Sequence, residues 1–203
     1  MNIPQLAYER WFAASTILLS YALGSMPTAY LVAKKLRGID IREHGSGNVG
    51  ATNVMRVVGK KAGIFVLIVD FLKGFLPVML VKWLMPQYPV LHTLIALAAV
   101  VGHSKSVFLN FTGGKSAITG LGGIMALSPL PALFVAVLAF TVIKIKHTVS
   151  IGTITAAIFA PVIFLLTKQP LEYTVYVTLC CLYIIFLHRA NIQRLIKGTE
   201  NKI

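Results

Sequence analysis

The segment Gly45-Ser46-Gly47-Asn48-Val49-Gly50-Ala51-Thr52-Asn53 lies between two clusters of cations, Lys34, Lys35 and Arg37 before it and Arg56, Lys60 and Lys61 after it. A glycine-rich turn exposes consecutive backbone N–H groups, and a helix starting near Ala51 would add the positive end of its dipole. Phosphate is the ligand that such a loop suits. Ser46, Asn48, Thr52 and Asn53 bring further hydroxyl and amide donors, which an idle flexible loop would not need. The literal G-x-G-x-x-G of Gly45 to Gly50 does not signal a dinucleotide site. That fingerprint requires a preceding strand and a βαβ unit, whereas an apolar run precedes it here and Asp70 sits inside another.

Further along, Gly113-Gly114-Lys115-Ser116 looks like the end of a P-loop, but the first glycine of that motif would fall at Leu109, so no ATP site is implied. Lys115 reads either as a phosphate ligand or as a cation snorkelling at a membrane boundary. Asp70 and Lys73 share a helix face inside an apolar run, where ionisable groups usually pair; a structural ion pair is the expectation. In His188-Arg189-Ala190-Asn191, the histidine can act as acid, base or phosphate donor and the asparagine can donate to a developing oxyanion; the alternative is an interfacial cap. His103 closes an apolar run, and Ser150 and Thr153 open one. The sequence contains neither H-x-x-x-x-D nor G-x-S-x-G, which excludes the acyl-transfer chemistries built on them. Cys180 and Cys181 are adjacent in an apolar run and match no metal spacing, so they are read as packing residues and no metal is expected.

The elements that must position these groups follow from composition. Of 203 residues, 57% are hydrophobic and 12% charged, with mean hydropathy +0.80. Soluble domains carry about 25% charged residues. The expectation is an all-α integral membrane bundle, one domain over residues 1–203, of about seven transmembrane helices near 11–33, 63–81, 88–102, 117–127, 130–143, 149–167 and 171–187. The first run is too long for a signal-peptide core and is expected to stay in the mature chain. With the N-terminus outside and the C-terminus cytoplasmic, Arg10, Lys82 and Lys168 fall outside and Lys73 within a span, leaving the other 15 of 19 Lys and Arg inside. That asymmetry satisfies the positive-inside rule. The net charge of +13 then reflects cytoplasmic loops, with membrane lipid rather than nucleic acid as its partner, since aromatic-laced basic patches are missing. In this topology the loop at 45–53, the glycines at 113–114 with Lys115, and the tail from His188 all emerge on the cytoplasmic side and could close over one pocket.

The segments GSGNVGATNVMRVVGKKAG (45–63), DFLKG (70–74), FTGGK (111–115) and HRANIQRLIKGTENK (188–202) resemble the bacterial acyl-phosphate:glycerol-3-phosphate acyltransferase family. The likeness runs over nearly the whole chain. It implies a seven-span inner-membrane enzyme that moves a fatty acyl group from acyl phosphate to the sn-1 hydroxyl of glycerol 3-phosphate, giving lysophosphatidate for phospholipid synthesis without a cofactor. Carried onto this chain, it implies catalytic roles for Ser46, Lys115, His188 and Asn191. Substrate binding would fall to Gly47, Asn48, Gly50, Ala51, Thr52, Asn53, Arg56, Gly113, Gly114, Ser150 and Thr153, and association with other phospholipid-synthesis enzymes is compatible with it. The chain departs from the family pattern at Ser104 to Ser106, at Thr112, where a lysine is usual, at Ser116, where a glycine is usual, and at Thr153, where a serine is usual. Two other classes compete, a small transporter or flippase for an anionic metabolite or lipid, and a weakened paralogue with a regulatory role. A transporter should carry polar residues at midplane along several spans, whereas polarity here gathers at one face.

Overall fold

A computed structural model describes the backbone of residues 3–202 and the side chains from Arg10 to Lys202. The described residues are helical apart from turns and a single bridge between Ser106 and Thr112. The chain divides into two compact units, parted between Gly123 and Ile124.

The first unit contains α1 (Ile3–Ser25), α2 (Thr28–Arg37), α3 (Ala51–Val57), α4 (Lys60–Leu84), α5 (Pro89–Ser104) and the beginning of α6 (Ala117–Leu127). Small residues let its helices approach backbone to backbone. A Cβ on Gly24 of α1 would strike the Ala99 carbonyl of α5, and one on Gly102 of α5 would strike the Tyr21 carbonyl of α1. Gly74 of α4 and Gly122 of α6 are matched in the same way, against the carbonyls of Thr119 and Phe71. In lipid, where apolar burial does not drive helices together, such close van der Waals contact does. Hydroxyls add cross-helix bonds: Ser20 Oγ donates to the Ile95 carbonyl at 2.8 Å, and Thr119 Oγ1 to the Asp70 carbonyl at 2.9 Å. Beneath the glycine loop, Ala29, Ala33, Ile41, Val49, Val54, Val66 and Leu109 form a buried apolar cluster that anchors it to the bundle.

The second unit contains α7 (Pro129–Lys146), α8 (Val149–Leu166), α9 (Leu171–Leu187) and α10 (Arg189–Ile196). Gly152 lets α8 lie on the Ala139 carbonyl of α7. The α9 and α10 axes differ by 56° at His188. Cys180 and Cys181 are buried free thiols, in keeping with a packing role.

Helices occupy all of the apolar runs. Among the described residues, four segments are long and apolar enough to cross a membrane (Arg10–Arg37, α4, α7 and α8), or five if the bent pair of α9 and α10 is one span; α5 and α6 are shorter. Trp11, Trp83 and Leu166 turn three-quarters of their surface outward, as lipid-facing residues do. The run at 11–33 is not one helix. Pro27 cannot donate a backbone hydrogen bond and disfavours the helical region for Met26, so α1 stops at Ser25 and α2 starts at Thr28.

Candidate active site

The glycine loop is held from within. Asn53, 1% exposed, accepts the Ser46 N–H at 2.9 Å through Oδ1, and its Nδ2 donates to the carbonyls of His44 (2.9 Å), Asn48 (3.1 Å) and Ile41 (3.3 Å). Its side chain is therefore spent on shaping the loop. Gly45 and Gly47 have φ of 62° and 70°, a region that a side chain would strain. Gly50 is extended (φ −164°) and leads into α3 at Ala51, the expected start. The first N–H groups of that helix, at Ala51 and Thr52, have no intrahelical acceptor. Ser46 and Arg56 are exposed, and Asn48 and Thr52 half-buried.

A second loop closes on this one. The N–H of Gly114 donates to the His103 carbonyl at 3.1 Å, and Ser106 exchanges backbone bonds with Phe111 and Thr112. A Cβ on Gly114 would lie 2.5 Å from the Val49 carbonyl and would also strike the His103 ring. Only glycine allows this approach, which brings the 45–53 and 113–115 segments into contact. Ser116, with φ of 58°, buries its hydroxyl on the Val100 carbonyl at 2.7 Å and so is engaged structurally. Lys115 between them is half-buried.

Next to these loops lies the ion pair expected from the sequence. Lys73 Nζ is 2.6 Å from Asp70 Oδ1 and donates to the Met26 carbonyl, also at 2.6 Å, at the break between α1 and α2. Both side chains are about 5% exposed. His103 Nδ1 stands 3.8 Å from the same Asp70 oxygen. On the solvent side, Arg42 and Asp40 form an exposed bidentate pair (2.6 Å), and the Arg42 hydrogen bonds hold the Asp40 carboxyl at about 2.

The second unit gathers a different set. Glu200, in the tail after α10, accepts from Ser150 Oγ at 2.8 Å and Asn191 Nδ2 at 2.6 Å through Oε1, and from Arg194 Nε at 2.7 Å through Oε2. Its side chain is 8% exposed. Burial raises this carboxyl, but the hydrogen bonds of Asn191, Ser150 and Arg194 outweigh burial and hold it below its ordinary value. His188, 5% exposed, faces the Ile184 carbonyl at 2.8 Å through Nδ1. A carbonyl only accepts, so Nδ1 carries the proton and a neutral ring keeps its lone pair on Nε2. Thr153 is half-buried on α8, one turn after Ser150.

Sequence reasoning placed Ser150 and Asn191 but missed the carboxylate that ties them together. Glu200 is one of only 6 acidic residues, set in a basic tail; that scarcity was the available signal. Asn53, expected to touch substrate, has its side-chain amide engaged with the loop backbone.

These features have relatives. A family model described as glycerol-3-phosphate acyltransferase matches residues 14–198. A glycerol-3-phosphate acyltransferase of Crocosphaera subtropica is 44% identical over 201 residues, 94% of each chain. That of Rippkaea orientalis is 46% identical over 197 residues, 92% of this chain and 91% of its own. Among solved structures, the glycerol 3-phosphate form of PlsY, an integral membrane glycerol 3-phosphate acyltransferase, superposes with a TM-score of 0.90 at 39% identity, covering 94% of this chain and 95% of its own. Its lysophosphatidic acid form gives 0.88 at 38% identity over the same shares.

Proposed function

The chain belongs to the glycerol-3-phosphate acyltransferase family, and from that premise we propose that acyl phosphate is its donor, the sn-1 hydroxyl of glycerol 3-phosphate its acceptor, and lysophosphatidate its product. The enzyme is an integral membrane acyltransferase. The observation that carries this reading is the contact of the glycine loop with the Gly113–Lys115 segment, which sets backbone amides for one phosphate beside a lysine for the other.

Acyl phosphate is a mixed anhydride and already activated, so no covalent nucleophile is required. The acceptor oxygen attacks the acyl carbonyl carbon, the bond from that carbon to the phosphate oxygen breaks, and inorganic phosphate leaves. Holding the two reactants in register can supply roughly 7–11 kcal/mol. In this reading the amides and hydroxyls of Ser46, Gly47, Asn48, Gly50, Ala51 and Thr52 take the donor phosphate, joined by Thr153. Arg56 and Lys115 take the phosphate of glycerol 3-phosphate, with Gly113 and Gly114 giving Lys115 its path. Ser150 and His188 orient the acceptor, and Asn191 donates to the carbonyl oxygen as charge develops there. Two groups can receive the hydroxyl proton, Nε2 of His188 and the departing phosphate. The pH profile of His188→Gln decides between them: an acid limb, where protonation removes the base, that vanishes in the variant names His188.

The same reading makes residues 1–203 one catalytic domain, places seven spans in the bacterial inner membrane with the N-terminus outside, and turns the site to the cytoplasm, where association with other phospholipid-synthesis enzymes is compatible with it. The experiment is direct. Purified protein incubated with acyl phosphate and labelled glycerol 3-phosphate should form lysophosphatidate and phosphate in equal amounts. Product from an acyl thioester but not from acyl phosphate would overturn the donor assignment.

A further inference from the structure

Beside the clasp of the two loops lies a small cavity whose lining includes Ser25, Thr28, Asp70, Lys73, His103 and Gly113. Its volume is about 10 Å³, the room that one water needs and no more. Two hydroxyls on its wall, Ser25 Oγ and Thr28 Oγ1, are buried with no hydrogen-bond partner among the described residues. Ser25 is fully buried and Thr28 is 7% exposed. Unpaired buried hydroxyls are costly, and two facing one polar cavity point to a shared ligand. The gap of 3.8 Å between Asp70 Oδ1 and His103 Nδ1 is too long for a hydrogen bond and suited to a bridge.

We propose that this cavity holds an ordered water shared by Ser25, Thr28, Asp70 and His103, and that Asp70 is a positioning residue which, through that water, turns the His103 ring against Gly114 and so sets the backbone carrying Lys115. The polar inventory closes. The water donates to the Asp70 carboxylate and to one hydroxyl, and accepts from His103 Nδ1–H and from the other hydroxyl. Lys73 Nζ donates to Asp70 Oδ1 and to the Met26 carbonyl, which ties the carboxyl to the break between α1 and α2. His103 is fixed to the loop twice, by its carbonyl on the Gly114 N–H and by its ring on the Gly114 Cα. A change at Asp70 therefore reaches Lys115 through one side chain and one peptide. The break at Met26-Pro27 is part of the device, because it ends α1 where Ser25 and Thr28 can face the cavity from either side of it.

This inference rests on the phosphate role proposed for Lys115, and its test separates the two. Thr28→Val keeps shape and removes one hydroxyl, and Ser25→Ala removes the other. If the hydroxyls hold a water, each variant lowers the melting temperature by about 3 °C, and the double variant loses clearly less than the sum, because the second change finds the water already gone. Additive losses, or melting temperatures that stay level or rise, overturn the water site. In the transfer assay Thr28→Val raises KM for glycerol 3-phosphate about tenfold with kcat nearly unchanged, a split that loss of stability alone does not produce. The paired variant Asp70→Asn with Lys73→Met, which removes both charges, gives the same split. An unchanged KM overturns the positioning role. Should the wild-type protein transfer no acyl group from acyl phosphate, the proposed function fails, and the melting cycle still decides the water site.

Discussion

The two units each gather hydrogen-bond donors, but from different material. In the first, the donors are backbone amides of a glycine loop, braced by the one side chain of Asn53. In the second, they are the side chains of Ser150, Asn191 and Arg194, all turned onto the carboxylate of Glu200. A site made of amides is encoded over a few consecutive residues and needs glycines where a Cβ would clash. One made of side chains needs distant residues and a counter-group to aim them. The first arrangement has Lys115 in the segment that touches it; the second carries an internal anion that keeps its donors ordered.

Removing the charge beside the amide loop should have the largest effect. Lys115→Ala is expected to lower acyl transfer on the order of a thousandfold while melting as the wild type does, and full activity would take Lys115 out of the site. Asn191→Ala should lower kcat by about a hundredfold, measured under saturating acceptor; a change confined to KM would mean that Asn191 binds rather than stabilises charge. Asn53→Ala attacks the brace. It leaves the Ser46 N–H and buried carbonyls short of partners, at about 1–3 kcal/mol, seen as a fall in melting temperature with activity lost alongside. A variant as stable as wild type would show that the loop holds itself.

Glu200→Gln probes the second arrangement. Its carboxyl sits below its ordinary value in the folded protein, so its contribution to stability is complete above the usual carboxylate range and disappears as pH falls through the folded value. The variant should cost about 1–2 kcal/mol at neutral pH and flatten that acid limb of the melting curve; an unchanged limb would remove Glu200 as its source. The smallest effect belongs to Asp40→Asn. That carboxylate also meets an arginine, at 2.6 Å, but the Arg42 side chain is 42% exposed, and exposed pairs contribute little. No shift in melting temperature at pH 7 is expected, and a clear one would erase the contrast between the two arginine–carboxylate pairs.

Much of this was legible beforehand. Membrane helices are read from summed hydropathy, a property that each run carries by itself, and helices occupy every run expected. The glycine loop, its helix beginning at Ala51, and the Asp70–Lys73 pair were visible because each depends on neighbours a few residues apart. The kink at Pro27 was missed through treating 11–33 as a single run, although the chemistry of proline was there to read.

What the linear order could not show is which distant groups share a space. Glu200 reaches Ser150 across 50 positions and Ser106 reaches Ser25 across 81. Gly114 meets Val49, and His103 meets Asp70, because glycines let the surrounding helices close to backbone contact. Residue types determined that this chain lives in a membrane and carries an amide loop suited to phosphate. Packing decided that Asn53 braces that loop, that Glu200 gathers the donors of the second unit, and that two idle-looking hydroxyls face one cavity, since burial and hydrogen-bond geometry exist only once the helices have met.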